Sequence, residues 1–79
     1  MKILKVVWKD AMGDDEEISK RELIEQGLIL MSSVGFLVSE DESTIKIAAV
    51  TNPSADSFRH WLVIPKSLIV KMEVIKEDA

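Results

Sequence analysis

Two apolar runs set the main constraint on how this chain can fold. Val34-Gly35-Phe36-Leu37-Val38 has no polar face, and His60-Trp61-Leu62-Val63-Ile64 is nearly the same. A strand that is wet on one side alternates apolar and polar residues, because successive side chains point to opposite faces. These runs do not alternate. An interior can take only one side of each strand, so something else must cover the other.

The rest of the chain reads mostly as further strands. Residues 2–9 form the first, with Leu4, Val6 and Trp8 on one face. Residues 28–39 form a long second strand. Glu40-Asp41-Glu42-Ser43 makes a polar turn. Residues 44–51 follow, with Ile45, Ile47 and Ala49 on one face. Thr51-Asn52-Pro53-Ser54-Ala55-Asp56-Ser57 is a loop of turn-forming residues. Residues 58–64 form a fourth strand, closed by Pro65, which cannot donate to a sheet ladder. Pro65-Lys66-Ser67-Leu68 suits one tight 3₁₀ turn. Residues 69–75 form the last strand, with Val70, Met72 and Val74 opposite Ile69, Lys71, Glu73 and Ile75.

One helix interrupts this pattern. Ser19-Lys20-Arg21-Glu22 matches a capping box, and Ile18 and Leu23 occupy hydrophobic-staple positions. Gly27 is placed to end the helix in a left-handed conformation. The spacing predicts a helix over 19–26, with the acidic run Asp14-Asp15-Glu16-Glu17 near the positive end of its dipole. Two turns are marginal alone, so Leu23 and Ile24 are expected to dock on something larger.

At 79 residues one domain, 1–79, is expected. A chain of this size buries only ~60% of the surface that it exposes when unfolded. Five short strands point to a mainly β fold with one short helix, a small five-stranded β-barrel, since closing a sheet removes exposed edges. Gly35 inside the second strand marks a bend of the kind a small barrel needs. The short helix cannot cover both unpatterned strands. The expectation is therefore a homo-oligomer in which the fourth and fifth strands make the contact, with Trp61, Val63, Ile69 and Lys71 as contact residues. Trp8 and Trp61 read as core or interface packing rather than as base-stacking platforms.

Catalytic chemistry is hard to build from these residues. There is no Cys, so thiolate nucleophiles, disulfides and thiolate zinc sites are excluded. The single histidine, His60, lacks an evident nucleophile to serve. No glycine-rich phosphate loop or calcium-loop spacing is present. The sequence reads as a protein that is not an enzyme, with no cofactor, no metal and no small-molecule substrate. Ten Lys and Arg against fourteen Asp and Glu give a net charge of −4, which argues against indiscriminate nucleic-acid binding but leaves room for a local basic loop. No apolar stretch approaches membrane-spanning length, and the N-terminus has no signal-peptide pattern, so a cytoplasmic protein is expected.

The element order resembles the small barrels of the SH3-like and Sm-like group. Gly35-Phe36-Leu37-Val38-Ser39-Glu40-Asp41 is similar to the first Sm signature, and Ile64-Pro65-Lys66-Ser67-Leu68-Ile69-Val70-Lys71-Met72 resembles the second. Segments such as Ser33 to Val38 and Trp61 to Ser67 also resemble short proteins encoded by bacteriophages, notably those infecting cyanobacteria; a phage origin would place the protein in the host cytoplasm. The Sm resemblance implies a ring in which strand four of one subunit pairs with strand five of the next. It further implies that the turns around Asp41 to Thr44 and Pro65 to Ser67 line a central opening. Lys66 would then meet phosphate, and Ser67, Ser43 and Thr44 would offer hydroxyls to RNA or single-stranded DNA. The chain departs from the family in lacking an Asn after Asp41, in having Pro65-Lys66 where Arg-Gly is usual, and in placing a strand before the helix. The leading expectation is a homo-oligomeric Sm-like ring that binds RNA or single-stranded DNA in nucleic-acid processing. The missing Asn and Arg-Gly and the acidic balance favour the alternative, an SH3-like protein-interaction or structural module, virion-associated for instance, without nucleic-acid binding.

Overall fold

A computed structural model describes residues 1–11 and 13–77. The elements are β1 (Ile3–Asp10), α1 (Lys20–Glu25), β2 (Ile29–Glu40), β3 (Thr44–Asn52), β4 (Ser57–Pro65), a 3₁₀ turn (Lys66–Leu68) and β5 (Ile69–Lys76). All strand pairs are antiparallel, in one five-stranded sheet of order β4-β3-β2-β1-β5. The strands fall within a residue or two of their expected places. The sheet is open: β4 and β5 form its two edges and do not pair with each other.

It is nevertheless strongly curled. Three strand spacings separate β1 from β4, about 14 Å in a flat sheet. Yet Leu4 and Val6 of β1 share one buried cluster with Ile45 and Ile47 of β3 and Ile64 of β4. The curl is made in β2. Its first part, through Phe36, pairs with β1, and its last part, from Phe36, pairs with β3. Gly35 sits at the change-over. A Cβ there would lie 2.9 Å from the carbonyl oxygen of Ala48, so glycine lets the two strands approach. A register shift between Leu37 and Ser39 adds to the bend.

That close approach explains a departure from the expected β3 pattern. Ala48 is buried and Ala49 is exposed, whereas alternation placed Ala49 with Ile45 and Ile47. Ala48 lies between cross-strand neighbours Phe36 and Trp61, and its small side chain fits there on the face away from the core. Next to Trp61, His60 takes φ 53°, which interrupts the β3–β4 ladder between Trp61 and Arg59.

The β1–β2 hairpin continues well past the core as an arm. Pairing runs from Ile3↔Phe36 out to Asp10↔Ile29, with α1 in the connection beyond. Trp8 packs at the core margin, and its indole N–H donates to the Ser33 hydroxyl at 3.1 Å. The molecule measures 52 × 23 × 21 Å, with a radius of gyration of 15.8 Å. A compact chain of this length would have about 12 Å.

The capping box forms in altered shape. Ser19 Oγ accepts from the Glu22 N–H at 3.1 Å, while the Ser19 hydroxyl donates to the Glu22 carboxylate rather than leaving it to the Ser19 backbone N–H. Gly27 is not left-handed, since no glycine among the described residues has positive φ. Gln26 is already extended, and its N–H closes on the Leu23 carbonyl, so the chain leaves the helix directly toward β2. Nor does α1 dock on its own sheet, for none of its residues is buried.

Candidate functional site

The two turns singled out in the sequence meet at one end of the sheet. In the β2–β3 turn the Asp41 carboxylate organises the backbone. Its Oδ1 accepts from the Ser43 N–H at 2.9 Å and the Thr44 N–H at 2.8 Å. The Ser43 hydroxyl donates to the same oxygen at 3.2 Å, and the Thr44 hydroxyl donates to Oδ2 at 3.1 Å. Aspartate suits this role because its short side chain reaches N–H groups two and three residues ahead. Donation from the Ser43 N–H, then from Thr44, with the hydroxyls adding to it, lowers the Asp41 pKa from 3.8 to about 2.

The second turn joins the first through its backbone. The Lys66 N–H donates to the Ser43 carbonyl at 2.8 Å. The structure therefore brings Asp41, Ser43, Thr44 and Lys66 together, with Ser67 next in the 3₁₀ turn and exposed. Much of this polar equipment is engaged internally. The Lys66 ammonium pairs with the Glu40 carboxylate at 2.7 Å, and the hydroxyl protons of Ser43 and Thr44 go to Asp41. Their lone pairs stay open to a donor. Glu40, Asp41 and Glu42 against Lys66 leave the turns acidic in sum. No group of three or more metal-capable side chains gathers among the described residues.

The sheet edges carry the larger anomaly. On β4, Trp61 is 67% exposed, and Leu62 and Val63 are also exposed. On β5, Val70, Met72, Val74 and Ile75 are exposed, with Val70 at 56%. Both edges present backbone groups that lack a neighbouring strand. Proteins usually shorten, charge or cover such edges, because a long apolar one is a template for another chain. Of the four contact residues expected from sequence, Trp61 and Val63 lie exposed on the β4 edge. Ile69 packs against the core instead. Lys71 is exposed and pairs along its own strand with Glu73 at 3.8 Å. On β5 the exposed apolar face is that of Val70, Met72 and Val74, which the alternation of the sequence already sets apart from Ile69 and Lys71.

Among the described residues six apolar side chains are buried, five of them in the one core cluster. The accessible surface is 6207 Å², roughly 1,400 Å² more than the size scaling of compact folded monomers gives for this mass. A shallow apolar groove of about 270 Å³ lies on the face of β3 and β4, lined by Val38, Lys46, Phe58, Trp61 and Val63 among others. A second apolar region covers the arm, where Ile18, Leu23, Ile24, Leu28, Leu30 and Met31 are exposed. No helix among the described residues is long and apolar enough to cross a membrane. No protein-family model matches the chain, and no curated protein or solved structure is similar to it.

Proposed function

We propose that the protein is a small Sm-like or SH3-like β module that assembles head-to-tail through its open edges. Strand β4 of one subunit pairs with β5 of the next, and the closed ring binds RNA or single-stranded DNA without catalysing a reaction. The observation that carries this reading is the pair of unprotected apolar edges. Such a contact is heterologous, and it closes into a ring when the rotation between subunits permits. Two contacts per subunit, each burying about 800 Å² of it, would remove close to the surface in excess.

The joined turns supply the ligand face. Repetition around a ring would bring Lys66, Ser67 and the lone pairs of Ser43 and Thr44 into one circle, with Asp41 holding the turn in shape. Phosphate would compete with Glu40 for the Lys66 ammonium. Titration of labelled single-stranded oligonucleotides across salt tests this. Lys66→Ala is expected to weaken every sequence alike and to reduce the salt slope by about 0.7 for each phosphate that is no longer neutralised. Glu40→Gln, which releases Lys66, is expected to tighten binding. An assembled protein that binds no oligonucleotide at low salt would overturn the nucleic-acid part.

The second reading, a protein-interaction or structural module, is favoured by one observation. The Lys66–Glu40 pair and the carboxylates beside it leave these turns acidic, which suits a basic protein surface better than phosphate.

A further inference from the structure

The arm poses a problem that edge pairing does not solve. Helix α1 has six residues, none of them buried, and Ile24 is 72% exposed. A helix this short is not stable by propensity and needs an apolar partner. Its own sheet does not provide one. The apolar groove on β3 and β4 lies beyond Phe36, where β3 begins to pair with β2, whereas the arm meets α1 beyond Ile29. Seven residues of extended strand separate the two, about 23 Å, so the arm cannot fold back onto its own groove while β1 and β2 stay paired.

We infer that α1 and the adjoining part of the arm seat on the β3–β4 groove of a second copy of this chain, with Ile24 and Leu28 entering beside Val38, Trp61 and Val63. Three features point to a second copy. Residues 14–25 carry six acidic and two basic side chains, so this short segment holds the whole net charge of −4 and the rest of the chain sums to zero. The charged residue lining the groove is Lys46, opposite in sign to the segment that would approach it. The arm also leaves Ile18, Leu23, Ile24, Leu28, Leu30 and Met31 exposed, an apolar surface that β4–β5 edge pairing would not cover.

The contact is separate from edge pairing. A neighbouring β5 would lie beside β4 in the plane of the sheet, whereas the arm would lie across its outer face. Neither contact requires the nucleic-acid reading.

Because the chain has no cysteine, cross-links can be placed without background. Single variants Ile24→Cys and Val63→Cys are mixed and treated with a short bismaleimide, and linked peptides are read by mass spectrometry. A 24–63 link between two chains is expected, and it should disappear when Trp61→Asp is added to the Val63→Cys chain. In parallel, Val63→Cys is mixed with Val70→Cys to report edge pairing. A 63–70 link without a 24–63 link would overturn the arm contact and leave the edge contact standing. Absence of both links would overturn both. Formation of the 24–63 link only within a doubly substituted chain, never between chains, would overturn the second copy as occupant. Ile24→Asp, which stays on the surface of the free chain, is expected to raise the dissociation concentration of the assembly roughly ten-fold or more.

Discussion

The core end of the molecule and its arm are built from the same kinds of side chain with opposite results. Ile45 and Ile47 are almost wholly buried, whereas Ile24 and Ile29 are exposed. The difference lies in the path of β2, not in hydrophobicity. From Gly35 onward the sheet curls, and β1, β3 and β4 close on one another. Past the Val6–Ser33 pair and the Trp8 side chain at the core margin, the hairpin runs on to Asp10 and Ile29 with no buried side chain. An apolar residue stabilises a fold only where the backbone brings a second layer within reach.

Substitutions can break this contrast if it is mistaken. Measured by urea unfolding of the dilute protein, Ile45→Ala is expected to cost about 2–5 kcal/mol, as for a buried isoleucine that leaves a cavity. Ile24→Ala should change the same measurement by less than about 0.5 kcal/mol, as at an exposed site. Equal costs would mean that the arm belongs to the folded unit. Gly35→Ala comes next, at about 1–3 kcal/mol, because the added methyl meets backbone rather than a side chain that can turn away. If it proved neutral, the bend would not depend on that approach.

The turn gives a smaller effect, confined to acid. The Asp41 pKa is depressed to about 2, so its contribution is fully present above the unfolded value of 3.8 and is lost as pH falls through 2. Thermal melts from pH 5 to pH 2 should show the wild type losing more stability than Asp41→Asn, which carries no such linkage. Parallel curves would contradict the hydrogen bonding assigned to this turn. Smallest of all is Ser19→Ala. It removes the bond that the Glu22 N–H makes to the Ser19 hydroxyl. It should speed amide exchange across α1 without moving the melting temperature, which sharpens the separation of arm from core.

Much of this architecture is legible in the sequence because the strands are short, alternate where they are half-buried, and are divided by turn residues. The Asp41 turn, the 3₁₀ turn after Pro65 and the bend at Gly35 each depend on local chemistry, and each is readable. What the sequence hides depends on the course of the backbone through space. Ala48 is buried instead of Ala49 because two bulky cross-strand neighbours flank it. Gly27 does not turn left-handed because Gln26 has already left the helix. The exposure of Leu23 and Ile24 follows from the length of the hairpin that carries them, which periodicity does not reveal. Among the candidate site residues, the meeting of Ser43 with Lys66 follows from the order of the turns. The Glu40 partner of Lys66 does not, although an acidic residue just before the turn is there to be weighed.

The most direct test of assembly through open edges is the mass in solution, by light scattering on a sizing column at two protein concentrations. A fixed multiple of 8.9 kDa at both concentrations is expected, lowered by Val70→Asp or Val63→Asp at the edges. A monomer at both concentrations would contradict the assembly, and with it the ring.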